Sequence, residues 1–216
     1  MKKSDLYTLG EEIAHSVTHG VGALLSIAGL VVLVALAAVR GNAWHIVSCS
    51  IFGATLIVLY TTSTLYHSIT HPRAKRVLRV LDHSAIFLLI AGTYTPFTLV
   101  NMRGGWGWTL FGVIWGLALL GIAFKLTASS RYRILSVLLY IAMGWLVLIA
   151  LKPLVASVAP PGLALILAGG LAYTLGVIFY AWKDLPYSHA IWHLFVLAGS
   201  ILHFFAVALY VIPRGS

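Results

Sequence analysis

Residues 189–212 read HAIWHLFVLAGSILHFFAVALYVI, 24 residues without one Asp, Glu, Lys or Arg. A helix needs about 20 such residues to cross a hydrocarbon core of roughly 30 Å, so this stretch reads as a membrane span. The same test picks out six more stretches, approximately 17–39, 43–66, 82–101, 106–124, 132–151 and 163–182. A chain of 216 residues that is 61% hydrophobic and 9% charged, with a mean hydropathy of +0.99, is not an ordinary soluble domain. Helices satisfy their own backbone hydrogen bonds in lipid, and the alternation of a lipid-facing barrel is absent from the sequence. The expected fold is all-α: one polytopic, seven-transmembrane helix bundle over residues 1–216. The closing Pro213-Arg214-Gly215-Ser216 resembles the remnant of a protease-cleavage site.

Seven spans put the termini on opposite sides, and basic residues gather on the cytoplasmic side. The N-terminus and alternate loops carry ten of them, Lys2, Lys3, Arg73, Lys75, Arg76, Arg79, Lys125, Arg131, Arg133 and Lys183, against four opposite, Arg40, Arg103, Lys152 and Arg214. The bias predicts an inside N-terminus and an outside C-terminus. The first span reads as an uncleaved anchor, because Glu11 and Glu12 precede it where a signal peptide would be basic. The formal net charge of +9 follows from this topology and from anionic headgroups, so no nucleic-acid partner is expected. Cys49 is the only cysteine; it can form no intrachain disulfide and suits a buried apolar position. Gly112-x-x-x-Gly116 and the face bearing Gly169 and Gly176 predict close helix approach. Pro96 predicts a kink in the third span.

Against this apolar background the ionisable side chains stand out, since each is costly in a membrane and is a functional candidate by default. The second span ends inside and carries Ser63-x-x-x-His67; the third begins inside with Asp82; the seventh begins inside with His189-x-x-x-His193. Topology alone thus brings three helices' polar groups to one leaflet. Imidazoles at i and i+4 share a helix face about one turn apart and can chelate one cation. His67 would complete the three-ligand set of a catalytic zinc site, whose fourth position is left to water. Such zinc lowers the pKa of bound water to about 7. Asp82 is placed to accept that proton, and Ser63, on the His67 face, to hold a neighbouring group in position.

Plainer readings exist for each residue. A single histidine in a span is commonly a hydrogen-bonded packing residue, and Asp82 could pair with Arg79 or cap the third helix. His203 lies ten residues beyond His193, about 15 Å along the axis, too far to share an ion. His45 belongs to the opposite face. His15, His19, His71 and His83 fall on the right side, at the interface or in packing, with His19 the best placed to support a ligand.

Taken together, the motifs resemble the hemolysin III-like branch of the progestin and adipoQ receptor family. The resemblance runs through Glu11-Glu12, Thr18-His19-Gly20, Ser63-Thr64-Leu65-Tyr66-His67, Leu81-Asp82-His83-Ser84, Gly92-Thr93-Tyr94-Thr95-Pro96, Met143-Gly144-Trp145, Gly170 to Gly176, and His189-Ala190-Ile191-Trp192-His193 with His203. It implies a multi-pass protein of the bacterial inner membrane with zinc near the cytoplasmic face. His67, His189 and His193 are then the zinc ligands, Asp82 the partner of the bound water, and Ser63 its support. Relatives are linked to lipid-amide hydrolysis, to hormone-like sensing, to cytolysis and to membrane homeostasis.

Three functions follow as expectations. One is a zinc-dependent, ceramidase-like hydrolase acting on a membrane lipid amide or ester. The second is a non-enzymatic regulator of membrane state whose helices zinc holds together. The third, a cytolysin, fits worse, because so apolar a bundle is a resident of the membrane rather than a toxin that stays soluble before insertion. Haem between helices would also use intramembrane histidines, but the i,i+4 pair beside a carboxylate favours zinc.

Overall fold

The computed structural model describes residues 7–128 and 133–213. Among them every regular element is helical: α1 Leu9–Arg40, α2 Ala43–Ser68, α3 Pro72–Pro96, α4 Gly105–Ala128, α5 Arg133–Gly144, α6 Leu151–Ser157, α7 Pro160–Ala181 and α8 Ser188–Tyr210. Seven spans result, because α5 and α6 belong to one membrane crossing, Ile134–Ser157. Neighbours along the chain pack in order from α1 to α4, α7 pairs with α8, and α1 closes the bundle against α8. The core, including Phe52, Leu56, Leu59, Tyr60 and Val207, lies along α2 and the helices around it. The expected start at 132 and the last residues 214–216 fall outside the described part.

Two helices begin well before the apolar stretches that announce them. At α1, Thr8 and Glu11 form a reciprocal capping box, with Thr8 N donating to Glu11 Oε2 at 2.8 Å and Glu11 N to Thr8 Oγ1 at 3.2 Å. The helix therefore starts at Leu9, eight residues ahead of 17, and includes Glu12, His15 and His19. At α3, Pro72 occupies the first turn, where its missing N–H costs nothing, and His71 is the cap. Asp82 is thus deep inside α3, and the reading of it as a helix cap does not hold.

Pro96 acts as expected. The five residues that follow, Phe97–Asn101, form a π-helical turn in which Met102 N donates to Phe97 O at 2.8 Å, a usual consequence of a disrupted i→i−4 ladder. A second break was not foreseen: the fifth span leaves α-geometry after Gly144 and runs as a 3₁₀ turn over Leu146–Ala150 before α6. The Tyr94 hydroxyl holds that break, donating toward Met143 O and Gly144 O at 2.9 and 2.8 Å and accepting from Val147 N at 2.9 Å. Trp145 Nε1 donates to Thr174 Oγ1 at 3.0 Å, tying the break to α7.

The small-residue expectation divides. Gly169 lets the His203 ring lie against α7, and a methyl at Gly176 would sit 2.8 Å from Phe195 Cβ. Both therefore serve close α7–α8 packing. A methyl added at Gly112 or Gly116 would meet nothing within 4 Å among the described residues, so neither mediates close approach between the described helices.

Candidate metal centre

The near ends of α1, α2 and α8 converge on a cluster of five buried histidines: His15, His19, His67, His189 and His193, each 7% exposed or less. Ligating atoms of His67, His189 and His193 lie within 4.8 Å of one another, as do those of Glu12, His15 and His67. A buried cluster of this kind can hold a metal ion.

Hydrogen bonds from α1 decide which ring nitrogens are free. Glu12 Oε2 accepts from His67 Nδ1 at 2.6 Å, while Glu12 Oε1 accepts from Lys75 Nζ at 2.7 Å. An ionised carboxylate only accepts, so His67 carries its proton on Nδ1 and leaves a lone pair on Nε2. Thr18 Oγ1 donates to Ala14 O and His15 O at 2.8 and 3.0 Å. With its one proton so directed, Thr18 Oγ1 accepts from His193 Nδ1 at 3.2 Å, and His193 too presents a bare Nε2. Both Nε2 atoms are buried without a partner, as are both nitrogens of His189. Unpaired buried polar atoms are rare and costly, and an ion between these rings would satisfy three at once. A donor bond behind each ligating imidazole is the usual way a protein fixes its tautomer and aim. The donor set therefore fits a metal.

Asp82 is buried at 6% exposure. Its carboxylate stands 3.5 Å from His83 Nδ1, and the buried Ser63 hydroxyl has no hydrogen-bond partner. It lines a cavity of about 160 Å³ together with His19, His189, Trp192, Tyr173 and His203. The cavity lies between α3, α5, α7 and α8, with a mostly apolar wall including Ile86, Leu89, Val177 and Val196. Asp82 and His189 thus line the same cavity.

The other histidines stand as follows. His19 stacks on His193 at 3.4 Å with an interplanar angle of 9°, the supporting place expected for it. His203 sits apart, with Nδ1 bonded to Gly199 O at 2.8 Å and its ring on Tyr173. His45 caps the far end of α2 with Asn42. His71 caps α3 and His83 bonds Arg79 O. Sequence reasoning missed Glu12, Thr18 and His15 as site residues, because it started the first span where apolarity begins. The Thr8-x-x-Glu11 box was the available signal, since it makes residues 12, 15 and 19 one face of a helix. Replacing Glu12 with Gln keeps the shape but removes the charge that holds His67. Metal affinity is expected to fall about 10–100-fold, as read by competition with a chelator of known affinity.

A seven-span bundle with a buried cluster able to hold a metal defines the class of protein. The chain belongs to the haemolysin-III-related family, whose model matches residues 7–204. It is 52% identical to the hemolysin-3 homolog of Bacillus subtilis (strain 168), over 96% of this chain and 97% of that protein. It is 50% identical to hemolysin-3 of Bacillus cereus, over 95% and 94%. The human monocyte to macrophage differentiation factor shares 26% identity over 94% of this chain and 86% of its own length. No solved structure matches. With bacterial relatives along almost its full length, the chain is a multi-pass membrane protein of bacterial type.

Proposed function

We propose that the chain is a zinc-dependent hydrolase of a membrane lipid amide or ester, resident in the bacterial inner membrane. The carrying observation is the junction of two features: three imidazoles with unpartnered buried nitrogens, and an apolar cavity that reaches His189 and contains Asp82. His67, His189 and His193 would hold the ion. Zinc supplies a Lewis acid for a carbonyl and acidifies water. Asp82, buried at 6% exposure, takes and returns the proton. Its place in the cavity lining would let a carbonyl approach while the acyl chain lies along Ile86, Leu89 and Val196. The all-imidazole donor set favours zinc over magnesium or calcium, which prefer oxygen.

Purified, zinc-loaded protein is expected to turn over at least one member of a panel of long-chain acyl amides and esters, and to lose that turnover on chelation. A fully metallated protein inert toward the whole panel would favour the second reading, a zinc-held regulator of membrane state. Burial of the ligand rings, each 7% exposed or less, is what supports that reading.

The topology belongs to the same proposal. The ten-to-four basic bias supports an inside N-terminus and puts the cluster at the cytoplasmic leaflet. A reporter after residue 212 is expected to read as external and one near Lys75 as internal; the reverse pattern would move the cluster to the outer face.

A further inference from the structure

Resting on the reading of the cluster as a metal site, we propose that His15 is the fourth ligand, so that the resting ion is enclosed by four imidazoles rather than three and a water. His15 is 0% exposed, and both of its ring nitrogens lack a partner. Its ring centre lies 4.6 Å from that of His67, 4.7 Å from His189 and 5.4 Å from His193. Those three are 5.2, 5.3 and 4.6 Å apart. The six separations are nearly equal, and four points nearly equidistant from one another form a tetrahedron. Four imidazoles on one zinc, each with its nitrogen about 2.0–2.1 Å from the ion, have ring centres roughly 5 Å apart. The ring positions therefore match a closed tetrahedral centre.

His19 provides an internal comparison. It is as buried as His15 and has the same free nitrogens, yet it lies face to face with His193 at 3.4 Å. Two parallel rings so close cannot aim nitrogens at one ion along separate tetrahedral directions, so His19 supports a ligand and His15 is one. His15 Nδ1 now leans toward Glu12 Oε2 at 3.9 Å, beyond hydrogen-bond length. Rotation about Cβ–Cγ turns a nitrogen inward while the ring centre stays in place. No covalent bond changes, and the neutral imidazole donates its lone pair.

A closed centre is the mark of a structural ion, whereas a catalytic one keeps a position open. In this chain α1 alone separates the two: it brings Glu12 behind His67, Thr18 behind His193 and His15 to the ion itself.

The test compares wild type with His15→Asn, which retains the other three ligands. Metal content per chain, X-ray absorption at the zinc edge, and the visible spectrum of the cobalt-loaded protein titrated with azide are measured on each. Wild type is expected to hold one ion with four imidazoles and a spectrum that azide does not change. The variant should hold one ion with three imidazoles and respond to azide. Three imidazoles in wild type, an azide response there, or four imidazoles in the variant would overturn the assignment. Two ions in wild type would also overturn it, giving His15 with Glu12 to a second site. If the variant binds no ion, the wild-type edge spectrum decides alone: four imidazoles uphold the inference and three overturn it. Absence of metal from wild type overturns the metal-site reading itself, which His193→Ala probes separately.

Discussion

His193→Ala is expected to strip nearly all metal from the protein. His193 is fully buried on the second turn of α8, its Nδ1 held by Thr18 and its Nε2 without a partner. Alanine removes the Nε2 offered to the ion, and the nearest ring, His19, lies parallel to His193 at 3.4 Å rather than aimed along the vacated direction. His45→Ala, 22 residues from His67 on α2 and so about 33 Å away along the axis, should leave metal content unchanged. Elemental analysis of both variants at equal monodispersity reads the result. Full occupancy in the His193 variant would remove that residue from the site.

The second large effect concerns Asp82→Asn. If Asp82 moves the proton in hydrolysis, the amide keeps the size and most contacts of the side chain but cannot serve as base. Turnover should then fall by about 100-fold or more, with metal content close to wild type. The position of Asp82, mid-helix on α3 and lining the cavity rather than the ligand group, is the reason the two readouts should part. An Asp82 that matters only for packing predicts the converse, a lower melting temperature with turnover per folded molecule retained. Loss of metal in this variant would make Asp82 a ligand and also refute the assigned role.

The seven spans were legible because hydropathy at this scale leaves few alternatives, and five of the seven begin within three residues of where they were read. What escaped were the polar extensions. A membrane helix continues past its apolar segment when a cap and interior partners satisfy it, and α1 does so for two turns beyond the first expected residue. Those turns bear Glu12 and His15, so the cluster was seen with its α2 and α8 sides and without its α1 side. The i,i+4 pair on α8 was legible because spacing along one helix is local. The meeting of His15 with His67 and His189 depends on how three helices rotate about their axes, and a single sequence carries no direct record of that. The break after Gly144 had a similarly faint signal: its stabilising partner is the hydroxyl of Tyr94, 50 residues away in sequence. Gly112 and Gly116 show the opposite failure, a clear local motif that no neighbouring helix uses.

The seam between α1 and α8 also bears on biosynthesis. Glu12, His15, Thr18 and His19 enter the membrane with the first span, and His67 with the second, but His189 and His193 follow only with the seventh. Until that helix docks, the polar face of α1 is packed chiefly against α2, and ionisable groups left facing lipid are costly. Docking of the seventh span both ends that exposure and assembles the ligands. An ion captured there would arrive only once the seventh span is in place, and would join the first of these spans to the seventh.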